Sequence, residues 1–212
     1  MKKLTKLLIF GAIVCLCGND EQPTYARTKD GKAQSYYEIA QDMVDGINER
    51  KTEFKIYYTG FSPDEINDNE NIIFDYANGL DGYAMHSYSS LDTVEYNQKK
   101  GEYIIKPKYQ YTNKQRQELL TFVKNEMSKI ISDDMDNMKK VEAIRLWLND
   151  YLVYDDSQNN DNDYEAMIYK SGNCTGYSML FETACEVAGV PCRTISGLLG
   201  KIPHAWNSVY VD

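Results

Sequence analysis

The chain has 212 residues, 42% of them hydrophobic, and a formal net charge of −9 at pH 7. That length accommodates one large domain or two small ones. The acidity argues against nucleic acid and anionic membrane surfaces as partners, because both are polyanions that favour clustered Lys and Arg.

The first 26 residues read as a secretory signal peptide. Lys2, Lys3 and Lys6 form a basic leader, Leu7 to Cys17 is an apolar run, and Thr24-Tyr25-Ala26 supplies a small-residue cleavage context. The apolar run is too short to span a bilayer, and no later segment is long and apolar enough to do so. A buried N-terminal helix is the alternative. Lipid anchoring through Cys15 or Cys17 is less favoured, because neither follows the small residue that such modification prefers. The segment 1–26 carries three Lys against Asp20 and Glu21, a net of +1, which leaves −10 on the remainder. The expected location is therefore secreted or cell-surface, with no membrane span after signal removal.

Cleavage would leave Cys174, Cys185 and Cys192. An odd count leaves at least one thiol free or intermolecular. Three closely spaced cysteines do not form a disulfide framework. No Cys-x-x-Cys pair exists and the chain has only two histidines, so no zinc spacing is present and no metal or cofactor is expected.

In chain order, residues 27–34 are polar and read as a flexible leader. Tyr36, Ala40, Met43, Val44 and Ile47 recur at helical spacing, and Phe54, Ile56 and Tyr58 alternate as in a strand. Ser62-Pro63-Asp64-Glu65 is a capping box with Pro in the first turn, opening a helix expected to run towards Gly79. Strands are expected over 83–95 and 102–109, with a turn at Gln98-Lys99-Lys100-Gly101. Thr112 and Gln115 form a second capping box, before a helix with Leu119, Leu120, Val123, Met127, Ile130 and Ile131 on one face. A further helix carries Val141, Ile144, Trp147, Leu148 and Tyr151. Residues 155–163 read as a solvated polar loop, without the ligand spacing or glycine of an EF-hand calcium site. A helix then begins at Cys174, with Tyr177, Phe181, Ala184, Cys185 and Ala188 on one face, and is stopped by Gly189 and Pro191. Strands follow at 192–196 and 204–211, the second with His204, Trp206, Ser208 and Tyr210 on one side. The expected organisation is an N-terminal α/β region over 35–110 and a helix-then-sheet region over 111–212.

The chemistry concentrates at Cys174. A helix start offers unpaired N–H groups and partial positive charge, which favour thiolate over thiol. Asn173 is placed to cap that helix, and Gly172 and Gly176 leave room for close backbone approach by a substrate. Small polar neighbours set Cys174 apart from Cys185 and Cys192, whose apolar settings read as structural. His204, on a strand 30 residues later, is the candidate base. His86 has no comparable motif and reads as a half-exposed strand histidine, and Trp206 reads first as packing.

Three runs in order, Gly172 to Tyr177, Ala188 to Arg193 and His204 to Asn207, resemble the transglutaminase-like superfamily. The Tyr151-Leu152-Val153-Tyr154-Asp155 exit of the preceding helix resembles the family's entry into its core, so the resemblance covers about residues 138–212. It implies an α+β fold with a papain-like core, a Cys-bearing helix packed on an antiparallel sheet, preceded here by the small α/β region. It implies Cys174 as nucleophile on a carboxamide, His204 as the group that carries the proton, and a thioester passed to an amine or to water. It implies a protein or peptide substrate, for an exported protein one associated with the cell wall, and no cofactor. The family's third residue is an Asp on the strand after the histidine strand. The sequence stops at Asp212, eight residues beyond His204 and roughly 26 Å along a continuous strand. The expectation is therefore a core cut short before its last strands, with the histidine strand left as an open sheet edge. An acyltransferase or cysteine peptidase follows if the Asp-bearing strand exists in the full protein. The alternative is a catalytically silent peptide- or wall-binding module of the same fold.

Overall fold

The computed structural model describes residues 7–9, 12–17, 30–97, 101–157 and 159–211. They fall into two compact units, Glu21–Gln110 and Tyr111–Asp212 with Met1–Asp20. The described chain opens with two short strands, β1 (Leu7–Ile9) and β2 (Ala12–Cys17). The cleavage context at Thr24 to Ala26, the leader to Lys29, the turn at Gln98 to Lys100 and Asp212 lie outside the described residues.

The unit Glu21–Gln110 is built from local signals that a side chain and its own turn supply. Ser35 caps α1 (Tyr36–Asn48), which buries Ile39, Ala40, Met43 and Ile47. β3 (Phe54–Tyr57) alternates, Phe54 and Ile56 inward, Lys55 and Tyr57 outward. The Ser62 capping box opens α2 (Pro63–Asp68), with both of its reciprocal hydrogen bonds made. The single helix expected towards Gly79 is instead two. Asn69 Nδ2 donates to the Glu65 carbonyl at 2.7 Å, and the backbone leaves helical geometry there before α3 (Glu70–Leu80). The strand expected from 83 also starts later. Asp81 accepts from the Ala84 N–H at 2.9 Å and nucleates α4 (Gly82–His86), so His86 ends a short helix rather than lying on a strand. β4 (Tyr88–Asn97) and β5 (Glu102–Tyr109) then complete an antiparallel sheet in the order β3-β5-β4. Its inner face, with fully buried Tyr103 and Ile105, closes a core against α1 and α3.

In the second unit the Thr112 box opens α5 (Asn113–Ile130), which buries Leu119, Val123 and Met127. α6 (Asn137–Tyr151) is capped by Asp136 and buries Val141, Ile144 and Leu148. Next come β6 (Val153–Tyr154), α7 (Asp163–Tyr169) and β7 (Ser171–Gly172), the two strands pairing in parallel. The sequence reads 155–163 as a solvated loop and announces no helix between it and Cys174. Asn162 caps α7, and Asp163 is fully buried, accepting from Tyr111 Oη and Thr183 Oγ1 at 2.8 Å each and from the Tyr164 N–H. A carboxylate is buried at that position because three donors meet it there.

α8 (Cys174–Ala188) ends at Gly189, whose φ of +70° is the left-handed conformation a helix stop needs. β8 (Cys192–Leu199) and β9 (Ile202–Tyr210) form an antiparallel hairpin against which α8 packs, with α5, α6 and α7 around it. The architecture is α+β, with the cysteine helix laid on an antiparallel pair. β2 runs parallel to β9, giving the sheet order β1-β2-β9-β8. In the uncleaved chain the edge beside the histidine strand is thus paired by β2, a strand within residues 1–26, and removal of that segment would open it again.

Candidate active site

Cys174 is the first residue of α8 and is half-buried. The capping residue Asn173 decides what the helix start offers. Its Oδ1 accepts from the Thr175 N–H at 2.9 Å and the Gly176 N–H at 3.1 Å, and its carbonyl accepts from the Tyr177 N–H at 3.0 Å. Tyr154 of β6 lies close enough to Cys174 for the two side chains to interact electrostatically. Burial first, and the Cys174 sulfur next, hold the Tyr154 hydroxyl above its ordinary pKa.

Tyr154 was legible only as part of a helix exit. Its place depends on the β6–β7 pairing, in which it lies opposite Gly172. The Asp155 N–H to Gly172 carbonyl bond of 3.0 Å and the Val153 N–H to Lys170 carbonyl bond of 2.9 Å fix that register. Tyr177, one turn into α8, braces it from the other side. Its ring lies 5.7 Å from that of Tyr154, its hydroxyl donates to the Leu152 carbonyl at 2.7 Å, and burial pushes its pKa up to about 12.

The two glycines around Cys174 have a use that differs from the one expected. The atom that approaches them closely is the carbonyl oxygen of Asn160, from the chain's own polar loop. A methyl group on Gly172 would come 3.2 Å from it, and one on Gly176 would collide with it. Asn160 Nδ2 also donates to Ser171 Oγ at 2.8 Å. That loop and the α7 end enclose a surface hollow of about 580 Å³ lined by Asp155, Asn159, Asn160, Asp161, Glu165, Tyr169 and Ser171. Burial and the neighbouring Asp161 raise the pKa of Glu165, and bonding to Ser157 lowers that of Asp155.

His204 is half-buried near the start of β9, opposite Gly197 on β8. It alternates with Ala205, Asn207 and Val209, which are buried, and shares its own face with Trp206, whose ring centre is 6.4 Å away and whose plane is tilted 24° from its own. The outer edge of the Trp206 indole lies against Gly197, where a side chain would collide with it. Asn207 Nδ2 donates to the Ser178 carbonyl of α8 at 2.9 Å. Further along, Val209 pairs with Cys192, whose thiol is an electrostatic neighbour of the Cys185 thiol. β9 therefore runs in the same direction as α8, and its beginning, with His204, comes to the end of the layer where Cys174 opens the helix. The ring neighbour described for His204 is Trp206, and the electrostatic neighbour described for Cys174 is Tyr154. Asp155 and Asp156 follow Tyr154 on the way out of β6, on the Cys174 side of the unit.

Cys185 is fully buried, and burial together with the Cys185 thiol holds Cys192 well above the ordinary thiol range. Both belong to the core formed by α5, α6 and α8. Among the described residues, no cluster of three or more His, Cys, Asp or Glu has the geometry to hold a metal ion. No described helix is long and apolar enough to cross a membrane.

Residues 124–212 match the family model of the transglutaminase-like superfamily, and this region is a transglutaminase-like domain. Among curated proteins, the chain is similar to the kyphoscoliosis peptidase of Mus musculus, with 30% identity over 112 aligned residues, 42% of this chain and 17% of that protein. It is also similar to the kyphoscoliosis peptidase of Homo sapiens, with 29% identity over 104 residues, 41% of this chain and 16% of that protein. The chain thus spans about a sixth of the length of these relatives. A solved structure described as that of a TGase aligns with a TM-score of 0.41 and 12% identity, over 76% of this chain and 48% of that one.

Proposed function

We propose that the protein is an exported cysteine-dependent acyl-transfer enzyme with Cys174 as nucleophile and His204 as its base. The observation that carries this reading is the position of Cys174: the first residue of α8, half-buried, at the end of the layer where β9 starts. A thiolate there gains from the helix-start amides. Its sulfur attacks the carbon of a carboxamide or peptide bond, and the S–C bond forms as the C–N bond breaks. His204 takes the thiol proton and delivers it to the departing ammonia or amine. A primary amine or water then attacks the thioester and releases the thiolate. The basic-apolar-polar order of residues 1–26 supports export, and the substrate class is protein or peptide at the cell surface.

The test uses the full chain with a glutamine-containing peptide, with and without a primary amine, read by mass spectrometry. Amine incorporation identifies a transferase, and deamidation or cleavage in its absence identifies a hydrolase. Cys174→Ala and His204→Ala should each lower the rate by about 10⁴-fold or more. Turnover that survives Cys174→Ala would remove this reading and leave the silent binding module.

A further inference from the structure

Three buried polar residues meet where α8 lies on the β8–β9 hairpin. Ser178, Thr194 and Asn207 are each at most 1% exposed. Asn207 Nδ2 donates to the Ser178 carbonyl at 2.9 Å and lies 3.3 Å from the Oγ1 of Thr194, its direct cross-strand partner. One helical turn on, Glu182 Oε2 accepts from the Thr194 N–H. Two successive turns of α8 are thus tied to both strands at one level of the sheet. Stability alone does not explain the choice of residues. Asn207 Oδ1 and Ser178 Oγ, buried at the same place, make no hydrogen bond among the described residues. A buried acceptor without a donor is destabilising, and an apolar side chain of similar size would avoid that. What a directional bond adds to apolar packing is register, because it fixes the offset at which two elements lie along one another.

The offset matters because α8 and β9 run in the same direction. Cys174 lies four residues before Ser178, about 6 Å back along the helix. His204 lies three residues before Asn207, about 10 Å back along the strand. Both fall on the same side of the Asn207 bond, towards the end of the layer where α8 opens. His204 and Trp206 occupy the other face of β9 from Ala205, Asn207 and Val209. Asn207 therefore reaches His204 only through the strand that carries both. We propose that Asn207 is a positioning residue: its bond to the Ser178 carbonyl sets the offset of the histidine strand against the cysteine helix, and so the reach of His204 to Cys174. The inference rests on Cys174 and His204 acting as nucleophile and base. Without that bond the strand settles at a different level on α8, and a misplacement of about 1 Å costs on the order of 10²-fold in rate.

Asn207→Leu removes the bond and the unpaired oxygen while keeping a side chain of similar volume. The full chain is assayed with the glutamine-containing peptide and a primary amine, and alkylation of Cys174 by iodoacetamide is followed across pH. The expected result is kcat lowered about 100-fold with KM within about threefold of the parent. Continued protection of the fully buried Cys185 from iodoacetamide reports that α8 is still packed. The alkylation midpoint of Cys174 should rise towards that of an ordinary thiol, about 8.5, as it should in His204→Ala. A residue that only stabilises the fold would leave that midpoint in place. Ser178→Ala keeps the accepting carbonyl and should leave kcat within about threefold of the parent. If Asn207→Leu exposes Cys185, Asn207→Gln decides: it keeps the amide donor on a stem one methylene longer, and the same fall in kcat with the same midpoint shift in a folded protein supports the proposal. An unchanged kcat, or a fall in kcat with an unmoved midpoint, would overturn it. So would loss of Cys185 protection in both variants, which would make Asn207 a requirement of the fold. If the parent turns over no peptide and its Cys174 midpoint does not move in His204→Ala, the acyl-transfer reading itself falls, whatever the Asn207 variants do.

Discussion

The two ends of α8 hold the same kind of side chain in opposite circumstances. At the start, Cys174 is half-buried, with Tyr154 as an electrostatic neighbour, and Asn173 occupies the amides that follow. Near the far end, Cys185 is fully buried and the Cys192 thiol beside it is pushed well up by that burial. The helix finishes on a left-handed Gly189, with the Lys140 ammonium donating to the Ala188 carbonyl at 3.1 Å. One end supplies polar donors and access to solvent, and the other supplies apolar contact. Surroundings, rather than residue type, separate a reactive thiol from a packing one.

The largest expected effect is on alkylation. With iodoacetamide at about pH 8, Cys174 should react more than about 100-fold faster than Cys192. The Cys192 rate should climb only above the range where an ordinary thiol ionises, because its raised pKa delays the thiolate to higher pH. Site-resolved mass spectrometry reads all three cysteines at once, and in denaturant their rates should converge. Equal rates at Cys174 and Cys192 in the folded protein would erase the contrast between the ends.

Smaller effects sharpen it. Gly176→Ala drives a methyl group into the Asn160 carbonyl and should cost about 2 kcal/mol in urea unfolding. Gly172→Ala, where the approach is 3.2 Å, should cost less than Gly176→Ala does. Asn173→Ala strands the Thr175 and Gly176 amides and should cost about 1 kcal/mol, with Asn173→Asp recovering most of it. Glu186→Gln, at the closed end, removes an exposed partner 3.6 Å from Arg116 and should shift stability by less than about 0.5 kcal/mol.

Legibility in the sequence followed the range of the interaction involved. Ser35, Ser62 and Thr112 cap helices through bonds to residues three positions on, and those starts are readable from a few letters. The inward face of β3 and the stop at Gly189 are similarly local. The break at Asn69, the short helix that ends at His86 and the whole of α7 were not legible. Each is set by a single polar side chain in a stretch without strong periodicity. Asp163 reads as loop polarity until Tyr111 and Thr183, 52 residues before and 20 after it, arrive as donors. At the site, the motifs name Cys174 and His204. Tyr154 depends on a two-residue parallel pairing that brings Val153 to Ser171, and no periodicity announces that.

The glycines that spell out the cysteine motif carry a consequence for anyone who would re-engineer this protein. Asn160 rests its carbonyl on Gly172 and Gly176, and the same residue's amide holds Ser171. Loop and helix start are a keyed joint, cut to each other's shape. A loop transplanted from a relative to alter the hollow beside it would bring its own key, and the bare glycines would no longer match. Libraries that vary residues 155–162 should therefore vary the flanks of Cys174 in the same clones, and selection should return the two segments as linked pairs rather than as independent solutions.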